Sequence, residues 1–185
     1  MTHLLQTCLE SVRNTSGIYA EFGVLHGDTF KDILNFAKLH DKKAYAFDSF
    51  RGMAEPTEKD GELGKKQYPI GRFDVGGPQL LITTLVDRGY NLNDFAIIEG
   101  FLPETLEQVK DLKYAFARVD LDHYYPTKCV LEYLLLRMSR DSIVLCDDYF
   151  IKDHLASQAY KEFLEEHSDV NIFSICGREM AWKLK

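Results

Sequence analysis

Short apolar, β-branched and aromatic runs alternate along this chain with segments whose apolar residues recur at helical spacing. That alternation restricts the fold more than any other feature of the sequence. The runs "GIYAEFGV", "AYAFD", "FAIIEG", "YAFARVD" and "SIVLCDD" read as strands, each with a helical pattern further on. An opening amphipathic helix is expected over about 2–14. A second starts near Asp28 and Thr29, both good N-terminal residues, and carries Phe30, Ile33, Leu34 and Ala37 at helical spacing. Others are expected near 78–89, after Pro103, near 127–138 and over about 153–166. Short connections between alternating strands and helices imply a mostly parallel sheet with helices on both faces. The final runs, "VNIFSI" and "EMAWKL", are joined at Cys176-Gly177-Arg178, a turn too short for a parallel crossover. The last of seven strands therefore runs antiparallel. The expected fold class is α/β, as a single domain spanning 1–185.

Composition excludes several functions. A net charge of −7 argues against a nucleic-acid or anionic-membrane binder, because both need a basic surface. No apolar run approaches the ~20 residues of a membrane span. The start "MTHLLQTCLE" lacks a signal peptide's basic end and apolar core. Cys8, Cys129, Cys146 and Cys176 are scattered without a CxxC pair, as expected of reduced thiols in a cytoplasmic protein.

One region departs from the economy of short connections. Residues 51–79, "RGMAEPTEKDGELGKKQYPIGRFDVGGPQ", are polar and hold six of the twelve glycines. A loop of that length in a compact domain is usually functional, and a lid or substrate loop is expected here.

Ligands of an open α/β sheet bind at the carboxyl ends of its strands. The first strand ends in "AEFGVLHGDTF", where Glu21, Gly23 and Gly27 stand at the turn into a helix. Glycines let a ligand approach the backbone, and the helix start offers free amides. The second strand ends in Asp48, about twenty residues past the glycine turn, where an acid suits the ribose hydroxyls of an adenosine-type cofactor. Two further strands end in acid pairs, "ARVDLDHYYPT" and "SIVLCDDYF", which place Asp120, Asp122, Asp147 and Asp148 at strand tips. Clustered carboxylates repel unless a cation sits among them. Oxygen-only ligands favour a hard ion, magnesium first, with manganese or calcium as alternatives.

The stretches "EFGVLHGDTF", "FDSFRGM", "EGFLPETL", "VDLDHYYPT" and "CDDYF" resemble, in order and spacing, the macrocin O-methyltransferase family. The resemblance implies a class I, Rossmann-like methyltransferase fold and an S-adenosylmethionine-dependent O-methylation of a sugar. By its implication Glu21, Gly23 and Gly27 line the methionine part of S-adenosylmethionine, and Asp48 holds the ribose with Ser49 and Phe50 beside it. Glu99 and Gly100 lie near the adenine. Asp120, Asp147 and Asp148 hold Mg2+, and Asp122 or His123 borders the substrate hydroxyl as the base. The implied acceptor is a small sugar-like molecule with adjacent hydroxyls, and the family's habit suggests a homodimer. Three other readings compete. The Asp-x-Asp pattern also resembles a phosphatase-type hydrolase. A nicotinamide dehydrogenase would need the Gly-x-Gly-x-x-Gly fingerprint, which is missing. The third is a methyltransferase-like module that binds cofactor or partner without turnover.

Overall fold

A computed structural model of the protein describes residues 1–151 and 155–185, apart from the side chain of Leu63. The chain begins with α1 (His3–Ser11), β1 (Ile18–Phe22), α2 (Asp28–Leu39) and β2 (Ala44–Asp48). It continues through α3 (Gly61–Gln67), α4 (Gln79–Asp87), β3 (Phe95–Glu99), a 3-10 turn at Glu104–Val109 and β4 (Tyr114–Val119). It ends with α5 (Tyr124–Leu135), β5 (Met138–Cys146), α6 (Leu155–Glu166), β6 (Val170–Cys176) and β7 (Glu179–Leu184).

Among the described residues the strands form one seven-stranded sheet in the order β3-β2-β1-β4-β5-β7-β6. The first five are mutually parallel, and β7 runs antiparallel to both β5 and β6. The α/β class and the antiparallel last strand agree with the sequence reading. Strand order reverses between β1 and β4, so a crevice opens above their carboxyl ends.

Two apolar layers sandwich the sheet. Tyr19, Phe116, Ile143, Leu145 and Ala181 pack beneath α1 and α2 against Leu5, Leu9, Phe30 and Leu34. Phe22, Ala117, Val119, Val144, Cys146 and Trp182 face the other way, onto Val130, Leu134, Tyr160 and Phe163 of α5 and α6. The period-two alternation of strand side chains produces this split. A register shift between Tyr114 and Phe116 allows both Ala115 and Phe116 to join the first layer.

Element ends differ from expectation in understandable ways. Thr2 caps α1 by accepting from the Leu5 amide at 3.2 Å, so the helix starts on time but stops at Ser11. Helix α5 starts at Tyr124 rather than 127, because Pro126 is tolerated in a first turn whose N–H groups lack helical partners anyway. The expected beginning of α6 near 153 lies outside the described residues. The stretch 51–79 contains α3, whose sequence "GELGKKQ" gives no apolar periodicity to announce it.

Candidate active site

The strand tips are aligned by backbone bonds that continue the sheet ladder past its ends. Gly23 N–H donates to Phe47 O at 2.8 Å, Asp120 to Phe22 at 2.9 Å, Asp147 to Val119 at 3.1 Å and Gly100 to Asp48 at 2.9 Å. Above them opens a cleft of about 460 Å³, lined among others by Glu21, Gly23, Asp48, Asp120, Asp122 and Asp148.

Gly23 makes this alignment possible. Its φ is +87°, and a Cβ there would sit 1.8 Å from the Asp120 carbonyl oxygen. Only glycine lets the β1 turn lie this close to the tip of β4. Beside it, Asp48 Oδ2 accepts from the Val24 and Leu25 amides at 2.7 and 2.8 Å, and Oδ1 from the Phe50 amide at 2.7 Å. Asp48 thus clamps the β1–α2 turn to the end of β2. Ser49 closes the next turn, donating to Gly52 O at 2.8 Å.

At the centre stands a residue that was not singled out from the sequence. Arg118, buried on β4, pairs in register with Glu21 on β1. Its Nη1 donates to Glu21 Oε1 and Asp120 Oδ2, and its Nη2 to Asp147 Oδ2, each at 2.8 Å. Arg178, from the β6–β7 turn, adds Nε contacts to Asp147 Oδ1 at 3.1 Å and Asp148 Oδ1 at 3.2 Å. Much of the expected repulsion between the acids is therefore met by two guanidinium groups. A lone arginine inside the otherwise apolar run "YAFARV" was a legible signal, since buried charge must be paired. Arg178 gave no such signal.

The electrostatics follow from burial. Glu21 is pushed up to about 8, chiefly by loss of water, with Arg118 opposing the rise. Its second oxygen, Oε2, is buried without a hydrogen-bond partner. Asp120 rises to about 6, again first through burial, with Arg118 opposing and Asp147 and Asp122 adding to the rise. Burial also works against the charge of Arg118, but Asp120, Glu21 and Asp147 outweigh it and hold its pKa above the ordinary value.

Asp120, Asp122 and Asp148 each offer an oxygen within 4.8 Å of the others. Asp147 was expected among the metal ligands, and it gives both oxygens to arginines. His123 is buried, and its Nε2 lies 3.2 Å from the Tyr68 carbonyl oxygen. That oxygen only accepts, so the contact assigns the ring proton to Nε2. Ser49 and Gly100 line the cleft, whereas Gly27, Phe50 and Glu99 stand outside its lining. Phe50 packs in the core, Glu99 is exposed, and Gly27 begins α2 against Leu81.

The profile of the macrocin-O-methyltransferase (TylF) family matches residues 1–183. The chain belongs to that family. Mycinamicin III 3''-O-methyltransferase of Micromonospora griseorubida is 28% identical to it over 177 residues, which are 88% of this chain and 67% of that protein. The calicheamicin methyltransferase CalS11 superimposes with a TM-score of 0.79 at 23% identity, covering 97% of this chain and 77% of the other. The O-methyltransferase NovP gives 0.80 at 19% identity, over 98% and 78%. These two likenesses speak to the fold, which is that of class I methyltransferases.

As a macrocin-O-methyltransferase family member the protein is an O-methyltransferase, and the phosphatase, dehydrogenase and non-catalytic readings fall away. Among the described residues no helix is long and apolar enough to cross a membrane.

Proposed function

We propose that this family member transfers a methyl group from S-adenosylmethionine to one hydroxyl of a vicinal diol on a sugar, assisted by magnesium. One observation carries the reading. Three carboxylates, Asp120, Asp122 and Asp148, converge in the same cleft as the unpartnered buried oxygen of Glu21. A buried acceptor without a donor fits an ammonium group, and the amino end of the cofactor's methionine carries one. Gly23 lines the cleft at the β1 turn, and Gly100 with Ser49 lines the wall proposed for the adenosine. Asp48 supports this wall by holding its turn, with lone pairs left on its oxygens for ribose hydroxyls.

An all-oxygen trio suits magnesium, with Asp120, Asp122 and Asp148 as its holders, and the ion would make a bound hydroxyl more acidic. Asp147 anchors the arginines behind this trio. The cofactor supplies a methyl group on a positively charged sulfur, so no covalent protein intermediate is required. The chain's own task is to bring the acceptor oxygen into line and to keep water out, and orientation of this kind is worth ~7–11 kcal/mol. Asp122, at the edge of this trio, is the residue that would take the hydroxyl proton. His123, with its proton held against the Tyr68 carbonyl, supports the motif from behind. The sugar relatives make a sugar-bearing natural product or nucleotide sugar the acceptor class to screen first.

The test is calorimetric titration of S-adenosylhomocysteine, with magnesium and then with a chelator, followed by mass-spectrometric screening of sugar acceptors. Micromolar binding and magnesium-dependent methylation support the proposal. No binding under either condition overturns it.

A further inference from the structure

The stretch 51–79 closes on itself at its base and meets the site through its middle, and its contacts assign roles to two residues outside the strand-tip motifs. At its base, Met53 N–H donates to Arg72 O at 2.8 Å and Gly71 N–H to Met53 O at 2.9 Å, closing the stretch into a strap. At its far side the strap meets the start of α5. Asp60, only 2% exposed, takes the Tyr124 amide on Oδ1 at 2.7 Å. Its Oδ2 accepts from the amide and hydroxyl of Thr57 at 2.8 and 2.7 Å. Helix α5 has no cap from its own N-cap side chain, because His123 provides none. Asp60 does that work from 64 residues away in sequence. Packing is close: a Cβ on Gly64 would lie 2.6 Å from the Asp60 Cβ. On the rim, the Lys59 ammonium lies 3.3 Å from Glu162, which also accepts from the Tyr124 hydroxyl.

Tyr68 follows α3 directly and lines the cleft. Its carbonyl takes His123, its ring stands edge-on to the His123 ring at 6.0 Å, and its hydroxyl bonds to the side chain of Asp122. The same strap therefore touches three consecutive residues, Asp122, His123 and Tyr124, with three different groups.

We infer that Tyr68 is a positioning residue that orients the Asp122 carboxylate, and that Asp60 is the latch seating Tyr68 over the acid motif. The inference rests on the reading of Asp122 as part of the magnesium and proton-accepting site. A hydroxyl bonded to one oxygen of a ligating carboxylate restricts its rotation, and losing such a partner typically weakens metal affinity or activity 10–100-fold.

The full chain, saturated with S-adenosylhomocysteine, would be titrated with magnesium as wild type, Tyr68→Phe, Asp60→Ala and Asp60→Asn. Tyr68→Phe keeps the ring and the carbonyl. Its magnesium affinity should fall about tenfold while its melting temperature stays within about 2 °C of wild type. Asp60→Ala should show the same loss together with faster tryptic cleavage after Lys65 and Lys66. Asp60→Asn, which keeps an acceptor for the Tyr124 amide, should recover most of both. Unchanged magnesium affinity in Tyr68→Phe overturns the role of Tyr68, and unchanged cleavage in Asp60→Ala overturns the latch. A wild type that binds no magnesium overturns the underlying reading and this inference with it.

Discussion

Arg118 donates to Glu21 at 2.8 Å across adjacent parallel strands, with 8% and 1% of their side chains exposed. The pair joins the proposed cofactor side of the cleft, at β1, to the acid side at β4 and β5. It also leaves Glu21 Oε2 and Arg118 Nε buried without partners, so the network is not saturated by the protein itself.

Replacing Arg118 by leucine strips three carboxylates of their common counter-charge. Breaking a buried pair by removing one partner costs about 3–5 kcal/mol, so a large fall in melting temperature is expected. Thermal unfolding with and without magnesium checks this, and magnesium should restore part of the loss by neutralising Asp120.

The raised pKa of Glu21 gives a pH dependence whose sign follows directly. A carboxyl that holds its proton more tightly when folded stabilises the fold fully below its unfolded value of 4.5 and loses that contribution as pH rises through about 8. Glu21→Gln removes this term. Wild-type melting temperature, relative to the variant, should therefore decline by on the order of 10 °C between pH 4.5 and 8, at roughly 2–4 °C per kcal/mol for a chain of this size. S-adenosylhomocysteine affinity should run the other way in wild type, improving as Glu21 becomes charged.

Gly23→Ala places a methyl group against the Asp120 carbonyl at a φ of +87°. The variant should lose at least about 2 kcal/mol of stability. Any folded fraction should bind S-adenosylhomocysteine poorly, because the turn must swing away from β4. Denaturant unfolding and calorimetry read the two effects separately.

Asp48→Ala removes an acceptor of three amides and releases the β1–α2 turn. A loss of cofactor affinity of about tenfold or more is expected, equivalent to about 1.4 kcal/mol. Asp48→Asn, with only one oxygen, should fall between wild type and the alanine variant. Calorimetry would show either outcome.

The sequence was informative wherever a local pattern encoded the structure. Strand tips at Glu21, Asp48, Asp120 and Asp147 were legible because each closes an apolar run. The antiparallel β7 followed from the short turn before it. Contacts made over long separations were not legible. Asp60 and Tyr68 lie in a polar stretch with no period, and their partners at 122–124 become neighbours only once the strap is seated. Arg178 is likewise delivered by the pairing of β7 with β5, which no residue near it encodes. The expectation that the acids need a cation was sound physics, but part of the answer was arginine rather than metal.

The order of strands has a consequence for how the molecule is made. Strand β7 lies between β5 and β6 although it is the last of the three in the chain. A nascent chain must therefore leave one edge of β5 unpaired until residues 179–184 have emerged from the ribosome. Until then Trp182 cannot cover Val144, and Arg178 cannot reach Asp147. Synthesis therefore completes the acid cluster's second counter-charge and the sheet's interior in the same late step, and a chain stopped short of that strand would carry an open, adhesive edge.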